Sequence, residues 1–114
     1  MPPGGRSVIL ASAWNNGKQH ASGAGYGLKV PRMDRDMFFR REWRTVQLRI
    51  PGVTAPIVVN IDKPSFWTGE CRELISAELG RWMRANRLAP WPDGRPPRIT
   101  LIPREPGAFD VGLP

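Results

Sequence analysis

The chain has 114 residues, of which 40% are hydrophobic and 9% aromatic, and this content excludes a disordered chain and favours one domain with a modest core. Seventeen Lys and Arg against ten Asp and Glu leave a net charge of +7, and a domain this basic attracts polyanions. Thirteen Pro and twelve Gly indicate short elements with many turns rather than a helical bundle. We therefore expect a single domain over residues 1–114, with a flexible N-terminus at residues 1–6.

The predicted elements begin with two strands and a short helix. Ser7–Ala13 ("SVILASA") has the composition of a short buried strand. Gly25–Val30 ("GYGLKV") alternates Tyr, Leu and Val on one face, which is the period of a strand. Pro31 ends that strand and can begin a short helix that runs to Phe39, with Met33, Met37 and Phe38 on its inner stripe.

The middle of the chain predicts a β-hairpin. Thr45–Ile50 ("TVQLRI") directs Val46 and Leu48 inward and alternates them with polar residues. The segment "PGVTAP" has the composition of a turn, and Ile57–Ile61 ("IVVNI") returns as the partner strand.

A single long helix is predicted over Glu70–Asn86, with Thr68 as its N-cap. In this helix we expect Cys71 to be buried, Gly80 to lie on the exposed side, and Glu78 to be half-buried in an ion pair with an arginine. The apolar stripe of the helix consists of Leu74, Ile75, Leu79, Trp82 and Met83.

Two late strands complete the set. Arg98–Ile102 is predicted to pair with Ala108–Val111, after a connector that is rich in proline. The expected fold is α+β: a small, mostly antiparallel curled sheet or open barrel with one long helix and one short helix.

The residues with catalytic potential are too few for a recognisable active site. His20 is the only histidine and Cys71 the only cysteine, so a zinc site lacks ligands and an internal disulfide cannot form. Asp62 precedes Lys63, but a magnesium-dependent nuclease needs a second clustered carboxylate. We expect no enzyme activity, no metal and no cofactor.

Two polar segments combine aromatic residues with groups that bind nucleic acid. The first is a loop of eleven residues after Trp14 with almost no core-forming side chain, and the second is the connector "NIDKPSFWTG". Asn and Gln can bond adenine, basic side chains neutralise phosphate, and aromatic rings stack on bases. The predicted nucleic-acid-binding residues are Asn15, Asn16, Lys18, Gln19, His20, Lys63, Ser65 and Trp67.

The order of elements resembles the DNA-binding pseudobarrel family, which includes plant transcription-factor domains and effector domains of restriction endonucleases. The resemblance covers Gly25–Val111 and depends on a strand, "P…R…FF", a hairpin, "LGRWMRANRL", a turn and a final strand. Two departures are a longer helix and an Asp93-Gly94 turn in place of Gly-Asp. The resemblance implies that two arms, Asn15–Gly23 and Asn60–Thr68, grip the major groove of DNA.

The sequence therefore predicts a cytoplasmic, prokaryotic protein that binds nucleic acid, with double-stranded DNA favoured and recognition of foreign or modified DNA as its role. We expect no membrane association, because no apolar run approaches the ~18 residues of a membrane span and "MPPGGR" lacks the apolar segment of a signal peptide. The first alternative is a protein–protein adaptor, in which Trp67 and Trp91 form an apolar patch and the arginine excess reflects genome composition. The second alternative is a metal-dependent nuclease.

Overall fold

The computed structural model describes residues 8–68, 71–92 and 94–113, so the predicted flexible N-terminus at residues 1–6 lies outside the described residues. Within these ranges the protein is α+β, with seven strands, three helices and a 3₁₀ turn at Arg41–Trp43. In chain order the elements are β1 (Ile9–Asn15), β2 (Tyr26–Lys29), α1 (Arg32–Phe38), β3 (Thr45–Arg49), β4 (Ile57–Asn60), α2 (Pro64–Thr68), β5 (Glu73–Ile75), α3 (Ala77–Ala85), β6 (Arg98–Glu105) and β7 (Ala108–Gly112).

The seven strands form one curled sheet in the order β4-β3-β7-β6-β1-β2-β5. Neighbouring strands are antiparallel except for β3 and β7, which are parallel. The two outer strands, β4 and β5, approach each other and nearly close the sheet into a barrel. The predicted curled sheet or open barrel is thereby confirmed, with one parallel pair in an otherwise antiparallel arrangement.

The β3–β4 hairpin is confirmed with the predicted alternation. Val46 and Leu48 are fully buried and lie opposite Val59 and Ile57 of β4, whereas the residues between them are exposed. Burial of each large aliphatic side chain contributes roughly 1.5–3 kcal/mol to folding. The strand at residues 25–30 and the pairing of the two last strands are confirmed in the same way.

The inner stripe predicted for the short helix is wrong for both methionines, and only Phe38 packs against the core. Met33 and Met37 are 78% and 70% exposed, and the side chain that α1 buries is Arg35. The Arg35 guanidinium donates to the Phe66 carbonyl oxygen at 2.9 Å and pairs with the carboxylate of Asp36. A buried backbone carbonyl needs a donor, and this requirement orients the two-turn helix with its arginine inward.

The predicted long helix over residues 70–86 is also wrong, because a strand interrupts it. Thr68 ends α2 instead of capping a helix, and Glu73–Ile75 form β5, which pairs with β2. Helix α3 begins only after Ser76, whose hydroxyl accepts a hydrogen bond from the Leu79 N–H at 3.3 Å. Leu79 and Met83 are buried as predicted, but Ile75 is 39% exposed on the outer face of β5.

Two further expectations for this segment are wrong for the same reason. Cys71 lies two residues before β5 and is exposed rather than buried. Glu78 occupies the exposed first turn of α3, and no ion pair forms with it among the described residues. The buried carboxylate is instead that of Glu73, which lies 3.8 Å from the Lys29 ammonium across the β2–β5 pair.

Gly80 is buried rather than exposed, because α3 packs closely on the β1–β2 loop. A Cβ atom at Gly80 would collide with the carbonyl oxygen of Gly23 and would lie 2.7 Å from a ring carbon of Tyr26. Gly23 itself has a φ of +86°, a conformation that L side chains rarely adopt. The two glycines therefore allow a contact between helix and loop that larger residues would prevent.

The strand directions assign every connection to one of two ends of the barrel. β1, β3, β5 and β7 run in one direction, and β2, β4 and β6 run in the other. We call one end the α3 end, and it comprises the β1–β2 loop (16–25), the β3–β4 turn (50–56) and the described residues from α3 to the first residue of β6 (76–92 and 94–98). The other is the α1 end, which comprises residues 30–44, 61–68, 71–72 and 106–107.

Gly80→Ala tests the close approach of α3 to the β1–β2 loop. Replacement of an exposed helical glycine by alanine ordinarily stabilises a protein by about 0.8–1 kcal/mol. Here we expect the opposite sign, a loss of about 1–3 kcal/mol, because the new methyl group collides with backbone. Urea denaturation measures the difference. The exposed Glu78→Ala change in the same helix is the control and should stay within about 0.5 kcal/mol; a more stable Gly80→Ala protein would contradict the packing.

Candidate nucleic-acid interface

The α3 end carries most of the excess positive charge. Among the described residues of this end, Glu78 is the one acidic side chain, and Asp93 lies outside the described residues. The basic side chains of the α3 end are Lys18, Arg81, Arg84, Arg87, Arg95 and Arg98.

These six side chains lack an ion pair, as do five basic residues elsewhere in the described ranges, namely Arg32, Arg41, Arg44, Lys63 and Arg72, so what distinguishes the α3 end is its scarcity of acidic side chains. Within residues 8–68, 71–92 and 94–113, none of the six forms an ion pair with a carboxylate. The basic members of the five ion pairs are Lys29, Arg35, Arg40, Arg49 and Arg104. The positive charge at the α3 end is therefore available to an external anion without the loss of an internal ion pair.

Two arginines of α3 hold the β1–β2 loop in place. Arg81 donates to the Ser22 carbonyl oxygen at 3.3 Å, and Arg84 donates to the Gln19 carbonyl oxygen at 3.4 Å. Spaced three residues apart, they lie on the same side of the helix. Each uses only its Nη1 atom in these bonds, and a guanidinium has five N–H donors. Both arginines can therefore shape the loop and still bind phosphate.

Gln19 lies at the centre of a hydrogen-bond network. Its Oε1 atom accepts from the Trp91 backbone N–H at 3.1 Å and from the Tyr26 hydroxyl at 3.3 Å. Its Nε2 atom donates to the Trp91 carbonyl oxygen at 3.2 Å. Tyr26 is fully buried and also accepts from Arg84 at 3.1 Å. The Gln19 amide thus joins the loop to the proline-rich connector, and contact with a base edge would require these bonds to break.

The other predicted residues of the first segment shape the loop or extend from it. The Asn15 side chain accepts from the Gly17 N–H at 2.7 Å, and that of Asn16 accepts from the Lys18 N–H at 3.4 Å. Each of these bonds joins an Asn side chain to the backbone two residues further on, an arrangement that stabilises a turn. The side chains of Lys18 and His20 are exposed, so these two residues are free to contact a ligand.

The second predicted segment lies at the α1 end. The Trp67 indole N–H donates to the Ile61 carbonyl oxygen at 2.9 Å, and the Arg41 guanidinium lies 5.3 Å from its ring centre. Ser65 is exposed. Burial lowers the pKa of the Lys63 ammonium, an effect that nearby Glu73 and Cys71 oppose. The structure therefore does not bring the two predicted segments together, since they lie at opposite ends of the barrel.

The same separation applies to the apolar patch expected for an adaptor. Trp67 packs on the core at the α1 end, whereas Trp91 packs edge-on against Tyr26, 5.8 Å between ring centres, at the α3 end. These two tryptophans do not form one surface.

Asp62 is exposed, and its backbone N–H donates to the Asn60 side chain at 3.1 Å. In the described part of the chain, no three His, Cys, Asp or Glu side chains gather in a group that could hold a metal ion.

The α3 arginines were not predicted as site residues, although a signal for them exists in the sequence. Arg81, Arg84 and Arg87 follow one another at intervals of three residues, with no acidic residue among them. Without the position of the β1–β2 loop, this pattern is equally typical of any solvated helix face. In the structure, Arg81 and Arg84 hydrogen-bond the β1–β2 loop, so the basic residues of helix and loop share one surface. None of the helices described is long and apolar enough to cross a membrane.

Gln19→Ala tests whether the loop is part of the folded scaffold. The change removes the oxygen that accepts from the Trp91 N–H and the Tyr26 hydroxyl, and the N–H that donates to the Trp91 carbonyl oxygen. We therefore expect a loss of about 1–3 kcal/mol in the free energy of unfolding. Lys18→Ala, one residue away and exposed, should change it by less than about 0.5 kcal/mol. Thermal and urea melts of both variants measure the difference, and equal stability of the two variants would show that the network does not stabilise the fold.

Comparisons with known protein families, with curated proteins and with solved structures find no match to this chain.

Proposed function

We propose that the protein binds nucleic acid through its α3 end. The observation that supports this function is that the described residues of the α3 end include six basic side chains, none of them in an ion pair, and one acidic side chain, Glu78. An arginine that already pairs with a carboxylate must exchange one anion for another when it binds phosphate. The arginines of the α3 end make no such exchange, so phosphate binding adds charge-assisted hydrogen bonds.

The distribution of these side chains favours a polyanion over a single phosphate group. Lys18 lies in the β1–β2 loop, three arginines lie in and directly after α3, and the remaining two lie before and at the start of β6. A small anion would need only two or three donors at one point. Charges spread over several elements instead match the regular spacing of phosphates along a nucleic-acid strand, and their combined field steers such a ligand towards this end.

The proposed interface uses one end of the barrel and not both predicted segments. The β1–β2 loop contacts α3, whereas the segment at Asn60–Thr68 is held to α1 by the bond from Arg35 to the Phe66 carbonyl oxygen. A single duplex groove that both segments entered would have to reach opposite ends of the sheet. We therefore assign Lys18, His20 and the arginines of the α3 end to the interface, with Asn15, Asn16 and Gln19 shaping the loop that presents them.

Two charge-matched double variants test the position of the interface. Lys18→Ala with Arg87→Ala removes two exposed positive charges from the α3 end. We expect weaker binding and a salt dependence, as log K against log salt concentration, that is shallower by about 1.4–1.8 units, since each lost phosphate contact removes ~0.7–0.9. Fluorescence anisotropy with labelled oligonucleotides over a salt series measures both quantities.

The matched control removes the same charge from the other end. Arg32→Ala with Arg41→Ala lowers the net charge equally, and both side chains are exposed at the α1 end. It should retain the affinity and salt dependence of the wild type, apart from a small long-range effect. Equal losses in the two double variants would show that net charge alone attracts the ligand. A wild-type protein that binds no nucleic acid at low salt would refute the function itself.

A further inference from the structure

Trp14 differs from the other four tryptophans in its position. Trp43, Trp67, Trp82 and Trp91 pack against the hydrophobic core. Trp14 lies on β1, where Ile9, Ala11 and Ala13 point inward, so the alternation of the strand directs Trp14 to the outer face of the sheet. It is only half-buried there. An aromatic side chain of this size on an outer sheet face is available to a ligand.

The neighbours of Trp14 across the sheet on this face are a glycine and an isoleucine. Trp14 lies opposite Gly27 of β2, which has no side chain, and Gly27 lies opposite Ile75 of β5. A Cβ atom at Gly27 would be 3.2 Å from Cγ1 of Ile75, so the Ile75 side chain borders the bare glycine from the far side. Ile75 is 39% exposed. Gly27 is itself buried, so its backbone is covered, and the partly exposed side chains of Trp14 and Ile75 form a shallow apolar shelf on the outer face.

Basic side chains flank the shelf in the next row of the sheet. Ser12 lies opposite Lys29 on one side and opposite Arg98 on the other, all on the outer face. Strands are about 4.8 Å apart, so Lys29 and Arg98 are roughly 10 Å apart across β1. Lys29 pairs with Glu73 at 3.8 Å, whereas Arg98 has no carboxylate partner within the described residues. The face therefore combines an apolar shelf with positive charge.

We propose that the ligand is single-stranded nucleic acid, and that one of its unpaired bases stacks on the exposed part of Trp14 while Arg98 and Lys18 bind the adjoining phosphates. This inference rests on the proposed function and specifies the class of ligand. The path is continuous, because β1 runs directly from Trp14 into the loop that carries Lys18. Bases in a duplex are stacked on one another and cannot reach an outer sheet face, whereas those of a single strand offer a free ring to stack on an indole.

Substitutions at Trp14 test the stacking. Loss of a base–aromatic contact weakens binding by roughly 5- to 150-fold, so Trp14→Ala should lose that much affinity for an oligothymidine of about 12 nucleotides, with an unchanged salt dependence. Trp14→Phe keeps a ring and should retain most of the affinity. It should also lose the quenching of tryptophan fluorescence that the oligonucleotide causes in the wild type. Val58→Ala, at an exposed position on β4, is the control and should bind as the wild type does.

The outcomes separate this inference from the proposed function. Equal affinity of Trp14→Ala and wild type, together with weaker binding by the Lys18→Ala, Arg87→Ala double variant, would refute stacking and leave the proposed function in place. Tighter binding of a hairpin duplex of similar charge than of the oligothymidine would also refute the inference alone. No binding of either probe by the wild type would refute both. Urea denaturation of Trp14→Phe is the control for folding, and we expect a free energy of unfolding close to that of the wild type.

Discussion

The close packing of α3 on the β1–β2 loop determines where the protein concentrates its charge. Gly80 and Gly23 meet without side chains between them, so the helix lies against the loop. Arg81 and Arg84 can then reach carbonyl oxygens of the loop. A larger residue at either glycine would move the helix away, and the basic residues of helix and loop would no longer share one surface.

A second layer of interactions joins that surface to the barrel. Tyr26 projects from β2 into the core and is fully buried, yet its hydroxyl bonds both Gln19 of the loop and Arg84 of α3. Gln19 in turn bonds both backbone groups of Trp91 in the connector before β6. The β1–β2 loop is therefore fixed relative to α3 and the connector, although Gln19 is 65 residues from Arg84 and 72 from Trp91. A ligand that contacts all three meets a preorganised surface, and little conformational entropy is lost on binding.

Elements with a clear local pattern could be predicted from sequence, whereas elements that depend on contacts with distant segments could not. Strands with strict alternation, such as the one that contains Val46 and Leu48, are predictable because one face is buried and the other is not. The helix predicted over residues 70–86 failed because an apolar pair such as Leu74 and Ile75 fits both a helical stripe and a strand. The free energy gained when this segment pairs with β2 favours the strand, and the local sequence does not reveal that pairing.

The candidate site shows the same limits. The exposure of Lys18 and His20 follows from the polar composition of their loop. The roles of Gln19 and Arg35 do not, because each bonds a backbone carbonyl from a distant segment, Trp91 in one case and Phe66 in the other. Long-range partners of this kind depend on the whole fold. The separation of the two predicted loop segments is likewise a consequence of strand direction, which neither segment encodes alone.

Mapping the ligand contact by backbone amide chemical shifts tests the central claim, the location of the interface, most directly. During titration of isotopically labelled protein with an oligothymidine of about 12 nucleotides, we expect the largest shifts at residues 14–25 and 81–98, with small changes at residues 32–44 and 63–68. Shifts concentrated in the latter two ranges would place the interface at the α1 end and contradict the account.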